Sequence, residues 1–131
     1  MKESDLRDVL AAQRSMVAPL NELVDLTTQL ADAFSRGDRT SVRMLIAMRN
    51  DPIYKVARAD DNIRTTLSTL NAEDVTRLRA LLAGEAETDD PIEHQISTQS
   101  VSNRRLLLRV SEIDKQVSRR FIGDRSIYKE D

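Results

Sequence analysis

The chain has 131 residues and a formal net charge of -2; 32% of its residues are charged and 3% aromatic, with three glycines, three prolines, one histidine and no cysteine. The missing thiols exclude disulfides, thiol catalysis and every cysteine-containing zinc site, and one histidine excludes a His-pair metalloenzyme. Many charges with few glycines and aromatics point to long helices, and no run approaches the ~18–20 apolar residues of a membrane span. The first residues, MKESDLRD, lack the apolar core of a signal peptide. The expectation is a single helical domain over 1–131, cytoplasmic and without membrane insertion.

The first segment opens on Ser4 as N-cap, with Asp5 and Asp8 in its early turns. Leu6, Val9, Leu10, Met16, Val17, Leu20, Leu23, Val24, Leu30, Ala31 and Phe34 recur with a seven-residue period, and Gln13 and Thr27 fill its gaps. Gly37 supplies the C′ residue. The second segment follows at once, with Asp38 as N-cap and a stripe of Val42, Leu45, Ile46, Ile53, Val56, Ile63, Leu67 and Leu70 interrupted by Arg49 and Asp60. So short a connection between two long helices predicts an antiparallel hairpin over 5–70. Pro19 and Pro52 fall near the same level of that hairpin. Each removes one helical hydrogen bond. Because the heptad phase survives them, both read as kinks. The competing reading of Pro52 is a fresh helix capped by Asn50-Asp51.

The third segment, 72–83, has Asn71 as N-cap, an apolar face of Val75, Leu78, Leu81 and Leu82, and Gly84 as its stop. It is too short to stand alone in water and must pack on the hairpin. Residues 85–90 form an acidic linker. Asp90-Pro91 then reads as N-cap and first residue of a long helix over 91–122. Its seam runs Ile92, Ile96, Gln99, Asn103, Leu106, Val110, Ile113, Val117 and Phe121, and Gly123 ends it ahead of a tail over 123–131. The fold class is therefore all-α: an elongated antiparallel helical bundle of three long helices and one short helix, with coiled-coil-like packing. The acidic stretch 71–100 and the basic stretch 101–131 complement each other within the chain. A mildly acidic domain without an aromatic stacking platform argues against nucleic acid, and none is expected as a partner.

No catalytic constellation emerges. His94 is followed by Gln95-Ile96-Ser97-Thr98, without the lysine and glycine that follow the histidine of phosphorelay transfer domains. Glu93-His94, Asp60-Asp61 and Asp89-Asp90 are adjacent pairs, which diverge on a helix. No glycine-rich phosphate loop or nucleophile elbow is present. The expectation is no enzyme, no cofactor and no metal. Apolar residues surplus to the seam say more. In Leu106-Leu107-Leu108, Leu108 must face a second surface, and Met44 and Met48 make another small face of adaptable side chains.

The turn Ser35-Arg36-Gly37-Asp38, the run Leu70-Asn71-Ala72-Glu73-Asp74 and the string Ser102-Asn103-Arg104-Arg105-Leu106-Leu107 occur in an order and spacing that resembles flagellar export chaperones of the FlgN type. The resemblance covers nearly the whole chain; Pro19, Pro52 and the sparse Glu and Lys content depart from it. It implies a cytoplasmic, non-enzymatic chaperone of type III secretion in flagellum assembly. Such a protein binds an amphipathic C-terminal helix of hook–filament junction proteins, keeps them secretion-competent and delivers them to the export apparatus. Carried onto this sequence, the client-binding residues are Leu106, Leu107, Val110, Ile113, Val117, Phe121 and Ile122. The alternative is a self-associating coiled-coil module, a homodimer or adaptor with no export client.

Overall fold

The computed structural model describes the backbone of residues 1–130 and the side chains of residues 1–119. It is an all-α helical bundle: α1 (Glu3–Ser15), α2 (Val17–Ser35), α3 (Arg39–Met48), α4 (Asn50–Thr69), α5 (Ala72–Leu82) and α6 (Pro91–Glu130), with no strand among the described residues. α1 and α2 form one rod, and α3 and α4 form a second rod folded back on it. α6 packs along the other side of the first rod, and α5 packs on α6. Bonds from Gln13 to Ile96 and from Asn103 back to Gln13 and Met16 make α6 run in the direction of α1. The three rods therefore run up, down and up.

The rods are interrupted where proline removes a donor. Pro19 and Pro52 are each the third residue after a one-residue break, at Met16 and Arg49. Without their N–H groups, the carbonyls of Ser15 and Met48 lose their i+4 donors. The backbone at both breaks stays right-handed helical, φ -78°, ψ -21° at Met16 and φ -67°, ψ -20° at Arg49. The chain therefore bends without turning away, and each rod keeps its course.

Caps set the other ends. Gly37 and Gly84 adopt φ +68° and +74°, the left-handed conformation that stops a helix. A side chain at Gly84 would also crowd Val101 of α6, with Cβ 3.1 Å from Cγ2. Asp38 accepts from the Ser41 backbone N–H at 3.1 Å and from its hydroxyl at 2.6 Å. Asn71 accepts from the Asp74 N–H, and Asp90 from the N–H groups of Ile92 and Glu93. Arg104 closes the far end of α5 by donating to the carbonyls of Leu82 and Ala83.

Two boundaries differ from the sequence expectation. Lys2, not Ser4, precedes α1, and its N–H donates to Asp5, so the acidic residue at the third helical position reaches back one turn early. The last helix does not stop at Gly123 but continues to Glu130. A glycine inside a helix costs only about 1 kcal/mol relative to alanine, and no proline follows to force a stop.

The main core gathers Leu6, Val9, Leu10, Met16, Leu20 and Leu23 of the first rod, Ala59 and Ile63 of α4, Leu78 and Leu81 of α5, and Ile96 and Val110 of α6. A second cluster near the hairpin tip holds Leu26, Leu30, Ala33 and Leu45. Two expected seam residues lie off the buried seam: Ile46 is exposed and Ile53 is half-exposed. The buried face runs Leu45, Pro52 and Ala59 at seven-residue spacing, with Val42, Arg49, Val56 and Ile63 between and beside them, so the seam keeps its phase through the break at Arg49 and passes one residue before Ile46 and Ile53.

The Ser41 hydrogen bonds hold the Asp38 carboxyl below its ordinary value of 3.8. A depressed carboxyl stabilises the folded state above its unfolded pKa, and that contribution is lost as pH falls through the lower folded value. Asp38→Ala should therefore lower the melting temperature at pH 7, and the gap from the parent chain should close below pH 3.8. Calorimetry across that range checks it; Asp38→Asn, a cap that does not titrate, should track the parent at neutral pH.

Candidate functional site

The polar seam residues cluster at the contact between α1 and α6. Gln13 is 2% exposed; its Nε2 donates to the Ile96 carbonyl and to Ser100 Oγ, each at 3.1 Å. Asn103, 4% exposed, donates from Nδ2 to the Gln13 carbonyl at 3.0 Å and accepts from Gln99 Nε2 at 2.9 Å. The Gln13 carbonyl lies three residues before the break at Met16, so a side chain of α6 grips the first rod where its own ladder is disturbed. At the break in the second rod, Arg49 donates through both terminal nitrogens to the two Asp114 oxygens, at 3.0 and 2.9 Å. This bidentate pair is half-shielded, with side chains 17% and 39% exposed. A third pair, Arg77 with Glu93 at 2.7 Å, ties α5 to the start of α6; Arg77 also donates to the Glu87 carbonyl and so orders the linker.

Among the described residues α6 packs on both helices of the first rod, and the Arg49–Asp114 pair ties it to the second. α4 and α6 are not packed on one another. A groove of about 510 Å³ remains between them. Its floor is Gln13, Met16 and Leu82; one wall is Ile53, Val56, Ala57, Asp60 and Ile63 of α4, and the other is Ser100, Asn103, Arg104 and Leu107 of α6. Ile53 and Leu107 are each 46% exposed on its rim. Asp60 pairs with Arg64 of its own helix at 2.9 Å. The groove has no nucleophile–base pair. Among the described residues no group of His, Cys, Asp and Glu side chains could hold a metal ion. His94 is exposed. No helix among the described residues is long and apolar enough to cross a membrane.

The expected client-binding residues do not share one surface. Leu107 stands half-exposed on the groove rim. Val110 is buried in the main core, and Leu106 packs against it from a half-buried position. Ile113 and Val117 are half-buried further along α6. The side chains of Phe121 and Ile122 lie outside the described residues. Leu108, the surplus residue of the leucine run, faces outward, as do Met44 and Met48. The sequence pattern places Ile53 and Val56 in the seam and does not mark an α4 wall; its one hint is Asp60 in the middle of their stripe, a charge where a closed interface wants none.

Comparison with protein-family models, curated proteins and solved structures finds no match to this chain. The functional reading rests on the groove and on the sequence.

The division of α6 into core and rim residues has a direct consequence. Val110→Ala should lower the free energy of unfolding by about 2 kcal/mol, whereas Leu107→Ser should change it by less than about 0.5 kcal/mol. Urea titrations of the two variants measure the difference.

Proposed function

We propose that this chain is a non-enzymatic chaperone or adaptor that holds an amphipathic helical segment of a partner protein in the groove between α4 and α6. The observation that carries the reading is the open face itself: α4 and α6 flank the first rod without packing on one another, and half-exposed Ile53 and Leu107 line the gap. An amphipathic helix laid there completes a four-helix cross-section, the usual way such a face is closed. Burying three or four side chains, at ~1.5–3 kcal/mol each, leaves roughly micromolar affinity after the costs of association.

The resemblance to export chaperones of the FlgN type supplies the partner class. We take the client to be a hook–filament junction protein, bound by its C-terminal helical segment in the cytoplasm and released to the export apparatus. The test is calorimetric titration of the full chain with such a segment, alongside amide shifts in NMR spectra. A 1:1 complex with shifts at Ile53, Val56 and Leu107, lost in the folded double variant Ile53→Asp/Leu107→Asp, is the expected result. Absence of binding by the folded chain overturns the assignment of the client.

Self-association is the second reading, favoured by the outward-facing Met44 and Met48, four residues apart on α3. Sedimentation equilibrium separates the two. The chaperone reading expects a monomer at micromolar concentration, and a tight dimer broken by Met44→Glu/Met48→Glu favours the structural module.

A further inference from the structure

The two walls of the groove carry opposite charge. Asp60 stands on the α4 wall and Arg104 on the α6 wall. Neither charge is spent on the other. Asp60 pairs with Arg64 in an exposed i,i+4 contact, and Arg104 donates to the Leu82 and Ala83 carbonyls at 3.1 and 3.3 Å. Such exposed contacts are weak and exchangeable, so both charges can still act on a third body between them. The apolar lining from Ile53 to Ile63 spans ten residues of α4, about 15 Å at ~1.5 Å per residue, or roughly three turns of an incoming helix. The walls are helix ridges rather than a strand edge, so they offer grooves for side chains and no backbone for an extended peptide to pair with. A second copy of the chain fits less well: a stable dimer buries roughly 1,200–2,000 Å² in total, more than three turns in this groove supply.

From these features, and resting on the helix-binding function above, we infer that the groove selects an amphipathic helix with unlike charges on its two edges. A cation flanks the apolar stripe on the side that meets Asp60, and an anion flanks it on the side that meets Arg104. This is the logic by which flanking charges fix partner and direction in coiled coils. A helix with a lysine edge and a glutamate edge seats in one direction only, because reversing it brings like charges together at both walls. Rim charges of this kind act mainly on selectivity, and salt weakens them.

Three synthetic helical peptides test the inference, sharing one leucine stripe and carrying Lys/Glu, Lys/Lys or Glu/Glu edges. Each is titrated into the full chain and into the Asp60→Lys variant, followed by fluorescence anisotropy and by amide shifts. The parent chain should bind the mixed peptide about fivefold more tightly than either uniform one. Asp60→Lys leaves the Arg104 bonds to α5 intact and makes both walls cationic, so its preference should move to the Glu/Glu peptide. Both preferences should fade in 1 M salt. Equal affinities for the three peptides, with shifts still at Ile53 and Leu107, overturn the charge selection and leave helix binding standing. If no peptide shifts Ile53, Val56 or Leu107, both are overturned. Shifts at those residues that depend on protein concentration without any peptide identify a second copy as the occupant and overturn the inference.

Discussion

The grip of α6 on the two broken rods is the constraint from which the rest of the architecture follows. Each rod is interrupted near its proline, and α6 meets it close to that point with a polar side chain: Asn103 on the Gln13 carbonyl, which also accepts from the Met16 N–H, and Asp114 on the Arg49 guanidinium. Apolar seams between helices are forgiving of register, since one leucine layer packs much like the next. A carboxamide that must meet one backbone carbonyl is not forgiving. Sliding α6 by one turn would bury Asn103 and Gln13 without partners, at about 1–3 kcal/mol for each unsatisfied group. The polar positions therefore fix where α6 lies.

Once α6 is placed against the first rod, the open face is a geometric result. The second rod packs on a different side of the same central rod, and its direct tie to α6 is at Arg49, above the groove. The small Ala57 on the α4 wall does not reach across, and Asp60 puts a charge where a dry seam would need an apolar residue. Polar interactions thus leave apolar surface uncovered at Ile53 and Leu107. On the function proposed above, a partner helix would lie on that uncovered surface, and the charges at its edges would choose among helices.

Local chemistry made much of this legible from the sequence. Asp38, Asn71 and Asp90 cap helices because each is a short acceptor before an apolar period, and Gly37 and Gly84 end helices because they alone tolerate positive φ there. Gln13 and Asn103 announced themselves as polar gaps in apolar stripes, but nothing in a one-dimensional pattern pairs residues ninety positions apart. Ile46 and Ile53 stand one residue off the buried heptad because its positions on the second rod are taken by Leu45, Pro52 and Ala59, and a proline and an alanine do not stand out in an apolar pattern beside two isoleucines. Gly123 does not stop α6, because a lone glycine without a following proline costs a long helix only about 1 kcal/mol. The α4 wall stayed hidden because a groove belongs to two helices and a floor, and its residues look like ordinary seam until the missing contact between α4 and α6 is seen. Leu107 stood out only through its place in a leucine run too wide for one interface.

The central claim is that α6 is locked at both breaks and so holds the groove open at a fixed width. The absence of native cysteine allows clean spin labelling at two exposed sites, Arg58 on α4 and Arg105 on α6, for a pulsed electron–electron distance measurement. A single narrow distance distribution in the otherwise unaltered chain, broadening when Asn103→Leu and Asp114→Asn are introduced together, is what the account predicts. A broad or two-peaked distribution in the otherwise unaltered chain, or one that the double substitution leaves unchanged, would contradict it.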